Sequence, residues 1–94
     1  MDCSNVVFRG HAVQRMFERG ISKTQVIEVI NLGEQIDDYR DDKPYPSVLL
    51  LGCVDGIAIH VVLGIDPESK TCYVITVYQP DPGIWRSDFR RRLK

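Results

Sequence analysis

The chain has 94 residues, of which 44% are hydrophobic and 27% are charged, and its net charge is −1. A chain of this length buries roughly 60 to 65% of its surface on folding, which suits one globular domain over residues 1–94. The longest uninterrupted apolar run, VLLLGCV, is far shorter than the roughly 20 residues of a membrane-spanning helix, and Met1-Asp2 does not begin a signal peptide. We therefore expect a cytoplasmic protein with no membrane partner.

The cysteines and the charge distribution further limit the class of protein. Cys3, Cys53 and Cys72 have no close paired spacing, so we expect incidental or buried thiols rather than a disulfide framework. Two histidines and three scattered cysteines offer no ligand spacing, and neither a metal nor a cofactor is predicted. The charge is polarised: EQIDDYRDD is acidic and RSDFRRRLK is basic. The basic tail is the obvious electrostatic footprint for nucleic acid.

The first half of the chain predicts a short strand and two helices. NVVF, residues 5–8, is rich in β-branched residues, and from residues 10–19 an apolar stripe recurs at helical spacing. SKTQVIEVINLG, residues 22–33, predicts a second helix, with Ser22 and Gln25 as a capping box. A glycine follows each helix and marks its end. The two helices must form a tight hairpin.

The second half changes to the period of strands. EQIDDY can form an edge strand, the proline-rich DDKPYPS must be a loop, and the continuous apolar VLLLGCV predicts a strand covered on both faces. Asp55-Gly56 predicts a hairpin turn before IAIHVVLGI, and a further turn precedes TCYVITVYQP. The order (β)ααββββ predicts an α+β fold, with two N-terminal helices on one face of a mostly antiparallel sheet.

Strand alternation divides the last two strands into two faces. The large apolar side chains are expected to face the helices: Ile57, Ile59, Val61, Leu63, Tyr73, Ile75 and Val77. The opposite, open face then carries Ala58, His60, Val62, Gly64, Cys72, Val74, Thr76 and Tyr78. His60 and Tyr78 are the proton-capable groups of that face, and the alternative for His60 is a half-buried ring bonded to its neighbours.

The first helix carries a second candidate group. His11 and Arg15 are four residues apart and point the same way. In a structural role, His11 caps the helix, Arg15 pairs with Glu18, and Arg19 meets terminal carbonyls. In a functional role, His11 transfers protons and the guanidinium of Arg15 binds a phosphate in a bidentate manner. Spacing alone leaves both roles open.

The tail offers a third candidate surface. Arg90, Arg91 and Arg92 are either a solvated run or a contact surface for a phosphate backbone. Trp85 and Phe89, which precede them, either anchor the tail on the sheet or stack on bases.

These residues lie in motifs that resemble an uncharacterised prokaryotic domain family. Its pattern has HA..RM.ERGI in the first helix, then G..I.DY, D.PYPS.L.LG, DG..IHVV and TVY.PDP..W before a basic ending. In this sequence the pattern falls on His11-Ala12, Arg15-Met16, residues 18–21, Ile36, Asp38-Tyr39, residues 42–47, Leu49, Leu51-Gly52, Asp55-Gly56, residues 59–62, residues 76–78, residues 80–82 and Trp85. The resemblance covers almost the whole chain.

The resemblance implies kinship with RelE-like, BrnT-like and MqsR-like toxins of bacterial toxin–antitoxin pairs, which cleave RNA on the open face of a sheet. It implies a RelE-like fold, RNA as substrate, and a cognate antitoxin partner, in some pairs a zinc-finger protein that holds its own zinc. Metal-independent cleavage would use His60 or His11 as base or acid and Tyr78 as acid or hydrogen-bond donor. Arg15 or a tail arginine would bind the phosphate, with Arg19 and Trp85 among the RNA contacts.

Two features keep a second class of function open. The net charge of −1 departs from the strongly basic character of many ribosome-dependent RelE-like toxins. The alternative is a non-catalytic protein-interaction domain of the same fold, in which the helix motif is structural. The sequence leaves open whether the chain is a monomer or a homodimer.

Overall fold

A computed structural model describes residues 3–93. Met1 and Asp2, on which the expectation of no signal peptide rests, and Lys94 lie outside the described residues. The chain forms β1 (Asn5–Phe8), α1 (Gly10–Arg19), α2 (Lys23–Leu32), β2 (Glu34–Tyr39), β3 (Ser47–Val54), β4 (Ile57–Asp66) and β5 (Thr71–Tyr78). The predicted α+β class and the order of its elements are confirmed. Within residues 3–93, neither helix is long and apolar enough to span a membrane.

The five strands form one mixed sheet in the order β1-β5-β4-β3-β2. Strands β2 to β5 are an antiparallel meander, as the two turn signals predict. The exception is β1, which pairs in parallel with β5, so that Asn5 lies opposite Thr71 and Phe8 opposite Val74. The first strand of the chain thus extends the sheet beyond the last one.

Both helices are delimited by local signals. Gly20 ends α1 in the left-handed region, with φ of 68° and its amide bonded to helix carbonyls. Ser22 and Gln25 form the predicted reciprocal capping box at the start of α2. Helix α1 packs on β5 and α2 on β3. Their inner faces share one buried core with the sheet, which includes Ala12, Met16, Val26, Val29, Ile59, Val61 and Leu63.

A β-bulge in β5 corrects the expected division of faces. Thr76 pairs with Val62 and Val74 with the next residue, Leu63, so Ile75 is an extra residue in the ladder. An extra residue reverses the side on which every earlier side chain of the strand points. The core therefore contains Cys72 and Val74, which were expected on the open face.

The same reversal moves Tyr73 to the open face, where it pairs with Gly64. Ile75 lies there too, since a side chain added at Gly64 would come within 3.1 Å of its terminal carbon. The expectation that Tyr73 and Ile75 face the helices is wrong, because strict alternation cannot include the bulge.

A disulfide joins Cys3 to Cys72. The expectation of unpaired thiols is wrong for these two cysteines, which are 69 residues apart in sequence. They meet because β1 runs beside β5, a pairing that no local spacing reveals. Cys53 is a free, exposed thiol.

Candidate functional site

His60 lies on β4 and is fully buried. Its Nε2 is 2.8 Å from the backbone oxygen of Phe89, and its Nδ1 is 3.2 Å from the hydroxyl oxygen of Tyr78. A carbonyl oxygen can only accept, so Nε2 carries the proton and donates it. Nδ1 of the neutral ring then accepts from the Tyr78 hydroxyl. Both ring nitrogens are occupied within the chain.

The protonation of this pair follows from its burial. Burial lowers the pKa of His60 from its ordinary 6.5, although the hydrogen bond to Phe89 partly opposes that shift and the nearby Arg92 adds to it. Burial also raises the pKa of Tyr78, helped by the neighbouring Tyr39. Both side chains are therefore neutral at pH 7, and the pair is a hydrogen-bonded unit rather than an exposed acid and base.

The tail, residues 79–93, covers His60. The Trp85 indole lies edge-on to the imidazole with ring centroids 4.4 Å apart, and it is only 7% exposed. Trp85 also forms an isolated β-bridge with Arg92, and the amide of Leu93 donates to the carbonyl of Ile84. The indole thus anchors the tail on the sheet, and at 7% exposure it offers little surface on which a base could stack.

The tail arginines make contacts inside the chain. Arg90 forms an ion pair with Glu34, with Nη2 and the carboxylate oxygen 2.7 Å apart, and this hydrogen-bonded partner lowers the pKa of Glu34. The guanidinium of Arg92 lies 5.2 Å from the centroid of the Trp85 ring. Arg91 is exposed, and its carbonyl accepts from the amide of Arg86. Glu34 of β2 therefore compensates the charge of Arg90, while Arg92 keeps its charge and makes a cation–π contact with the indole.

Arg19 and Tyr78 border a cleft of about 460 Å³ beside this anchor, which we call the Trp85 cleft. Nη1 of Arg19 donates to the carbonyl of Val77 at 2.7 Å and so ties the end of α1 to β5. Arg15 lines neither this cleft nor the one described next, and its guanidinium is 3.7 Å from the carboxylate of Glu18. These contacts match the structural roles that the spacing allowed for Arg15, but Arg19 meets a strand carbonyl rather than its own helix.

His11 lies in a different place, a cleft of about 540 Å³ that we call the His11 cleft. Residues 9–11 at the β1–α1 junction, residues 42–45 of the β2–β3 loop, and Gly64, Tyr73 and Ile75 of the sheet line it. Tyr73 and Tyr78 are five residues apart on β5, which is roughly 16 Å along a strand. The structure brings His60 and Tyr78 together and separates His11 from them.

The His11 cleft combines a proton-transfer group with positive charge. His11 is exposed, and within residues 3–93 its ring has no hydrogen-bond or ion-pair partner. Arg9 and Lys43 supply two cations to the same cleft. Its acid, Asp42, accepts a hydrogen bond from the hydroxyl of Ser47. An exposed imidazole beside two cations can bind and act on a phosphate ester.

Two stacked tyrosines form one wall of the His11 cleft. The rings of Tyr45 and Tyr73 are parallel within 1°, with centroids 5.4 Å apart, and the Arg9 guanidinium lies 4.8 Å from the Tyr73 centroid. The neighbouring Tyr73 is the main reason that the pKa of Tyr45 is raised, so Tyr45 is a neutral phenol at pH 7. The cleft is thus both cationic and aromatic.

Sequence reasoning singled out only His11 among these residues. Because of the bulge, strand alternation predicts the wrong face for Tyr73, and no motif or spacing in the sequence indicates Arg9 or Lys43 as site residues. The signal available for Tyr45 was its place between two prolines in KPYP, which holds an aromatic ring on an ordered loop. Within residues 3–93, no group of three or more His, Cys, Asp or Glu side chains could hold a metal ion.

Fold and clefts together define a small α+β protein in which two helices cover one face of a mixed sheet and a cationic, aromatic cleft opens on the other. The chain belongs to the family described as a domain of unknown function, DUF4258, which matches residues 8–79. The match contains His11, His60 and Tyr78 and ends before Trp85 and the arginines of the tail. No curated protein and no solved structure matches the chain.

Proposed function

We propose that this protein is a metal-independent endoribonuclease, the toxin of a type II toxin–antitoxin pair, and that its reaction takes place in the His11 cleft. One observation carries the proposal: the exposed ring of His11 shares a cleft with Arg9, Lys43 and a pair of stacked tyrosines. Imidazole, cations and aromatic rings are the groups that recognise and cut a ribonucleotide chain. A RelE-like ancestry is part of this proposal.

The chemistry requires one base and a site for the phosphate. His11 removes the proton of a ribose 2′-hydroxyl, and the 2′-oxygen attacks the adjacent phosphorus. Arg9 and Lys43 stabilise the charge on the pentavalent phosphorane. The bond to the 5′-oxygen breaks, and this oxygen takes a proton from a water molecule in the open cleft. The hydroxide that remains takes the proton from His11, which restores the water and the base. The products are a 2′,3′-cyclic phosphate and a 5′-hydroxyl.

The other residues expected at the site have supporting roles in this proposal. His60, Tyr78 and Trp85 hold the tail on the sheet. Arg15 and Arg91 extend the positive surface that a nucleic acid would meet. The protein acts in the cytoplasm, where its RNA is, and a cognate antitoxin, in some pairs a zinc-finger protein, covers the cleft.

Cleavage by purified protein in EDTA tests this assignment. We expect His11→Gln to lower the cleavage rate by about 10²- to 10⁴-fold, as for loss of a general base. Gln14→Ala, an exposed substitution on the same helix, is the matched control and should cleave like the unmodified protein. In cells, induced expression without an antitoxin should stop growth, and His11→Gln should restore it. Equal cleavage by the His11→Gln variant would contradict the proposed base.

A second candidate is a non-catalytic domain that binds a partner protein. It is favoured by Phe17 and Leu32, two large apolar side chains on the helices that are 88% and 81% exposed. Full growth on induction, together with intact RNA, would support this candidate over the ribonuclease.

A further inference from the structure

Tyr45 contributes an aromatic ring to the lining of the His11 cleft. Stacking on Tyr73 uses one face of its ring. Within residues 3–93, no second ring and no cation lies over the other face of Tyr45, and the residue is only partly buried. A partly exposed aromatic ring that lines an open cleft is a surface on which an unpaired nucleobase can stack.

The surroundings fix that surface in place. Tyr73 belongs to β5 and pairs with Gly64 of β4, and the side chain of Ile75 lies against Gly64. Arg9 contacts the Tyr73 ring through its guanidinium. Tyr73, which is part of the sheet, thus contacts both the Tyr45 ring and the Arg9 guanidinium.

The charges beside the stack identify the rest of the ligand. Arg9, His11 and Lys43 lie in the same cleft as the rings, so one ligand can meet positive charge and an aromatic face together. A nucleotide has both an anionic phosphate and a π-face. In a duplex the bases are paired and stacked inside, whereas single-stranded RNA can place a base on a protein ring.

We propose that Tyr45 is the base-stacking residue of the His11 cleft and that it restricts the site to unpaired nucleotides. This inference rests on the proposed function, because it takes the ligand to be RNA. It adds a specificity residue that contributes to substrate binding and takes no part in proton transfer.

Binding of an uncleavable RNA tests the proposal. The probe is a fluorescent single-stranded RNA with every 2′-hydroxyl methylated, compared with the same strand in a duplex. We expect Tyr45→Ala to weaken single-strand binding by about tenfold, as for loss of one stacked base. Tyr45→Phe keeps the ring and should bind within about twofold of the unmodified protein. Phe17→Ala removes an exposed aromatic residue outside the cleft and is the matched control.

Two results would overturn the proposal: Tyr45→Ala binding as tightly as Phe17→Ala, or the duplex binding as tightly as the single strand. Inorganic triphosphate separates charge from stacking, since its affinity should not change in Tyr45→Ala. If Tyr45→Ala fails to fold, photocrosslinking of the unmodified protein to RNA containing 4-thiouridine replaces it. A crosslink at Tyr45 supports the proposal, and crosslinks confined to the tail contradict it.

The outcomes for stacking and for cleavage are separable. RNA binding that depends on Tyr45, without any cleavage, would support the role of Tyr45 in stacking and would contradict the proposed ribonuclease activity. Cleavage that depends on His11, together with RNA binding that is unchanged in Tyr45→Ala, would support the ribonuclease activity and contradict the role of Tyr45 in stacking.

Discussion

The environment of His60 shows how a chemically reactive residue becomes a structural one. The imidazole is buried, one of its nitrogens donates to the Phe89 carbonyl, and the other accepts from Tyr78. A buried imidazole of this kind gains from being neutral, because burying its charged form would cost more than its hydrogen bonds return. His11, the other histidine, has the opposite setting, since it is exposed and borders a cleft.

The burial of His60 gives the stability of the protein a defined dependence on pH. The folded-state pKa of His60 lies below 6.5, so between these two values the unfolded chain binds more protons than the folded one. Stability is therefore full above pH 6.5 and falls as the pH drops from there towards the folded-state pKa. The loss from one group is at most about 1.4 kcal/mol per pH unit.

Urea unfolding between pH 7.5 and 5.5 measures this dependence. The His60→Gln variant should be less stable throughout but should show a flatter pH profile than the unmodified protein. Glu34, whose pKa is lowered from 4.5, loses its stabilising contribution only below that range and does not interfere. An equally steep profile in His60→Gln would assign the dependence to other groups.

At the scale of elements, the tail is held by an apolar anchor more than by its charges. The Trp85 side chain is almost fully buried on the sheet beside His60, whereas the Arg90–Glu34 ion pair is about half exposed. A half-exposed ion pair contributes little to stability, because water already solvates both charges. The position of the tail therefore depends mainly on the indole.

Two substitutions in the tail separate these contributions. We expect Trp85→Ala to lower the free energy of unfolding by about 3 to 5 kcal/mol, and Arg90→Ala to change it little. Urea unfolding measures both, and amide hydrogen exchange at residues 86–93 shows whether the tail has detached. A loss in Arg90→Ala as large as that in Trp85→Ala would mean that electrostatics hold the tail.

The elements themselves were predictable because each is bounded by a local signal. The Ser22–Gln25 capping box, Gly20 and the Asp55-Gly56 turn act over a few residues, and the observed helices and strands begin and end within one or two residues of the expected positions. The bulge at Ile75 was not predictable, because an extra residue in a ladder depends on the partner strand. Because of that single residue, the sequence did not predict the position of Tyr73, nor the aromatic wall of the His11 cleft that Tyr73 forms.

At the scale of the whole molecule, the pairing of β1 with β5 joins the beginning of the chain to its last strand. Because Arg9 and His11 directly follow β1, this pairing also brings them beside Tyr73. The pairing is non-local, so the sequence could identify His11 as a chemically capable residue but not the residues that surround it. The Cys3–Cys72 disulfide closes the same junction covalently.

Loss of that disulfide should destabilise the protein strongly. It closes a loop of 69 residues, and restricting the unfolded chain by a loop of that length is worth about 4 kcal/mol. We expect Cys3→Ser, or reduction of the unmodified protein, to lower the free energy of unfolding by about that amount and to speed amide exchange in β1 more than in β3. Cys53→Ser, which removes the free exposed thiol, is the matched control and should change stability little.

The same variant connects the fold to the proposed site. Cytoplasmic glutathione keeps most thiols reduced, so the disulfide is at odds with the proposed cytoplasmic location, and alkylation of thiols in intact cells reports which state is present. If β1 positions the cleft, reduction should also weaken RNA binding in the unmodified protein, whereas Cys3→Ser should bind equally with and without reductant. If reductant changes neither the RNA affinity nor the stability of the unmodified protein, the backbone pairing of β1 with β5 is sufficient to hold Arg9 and His11 beside Tyr73.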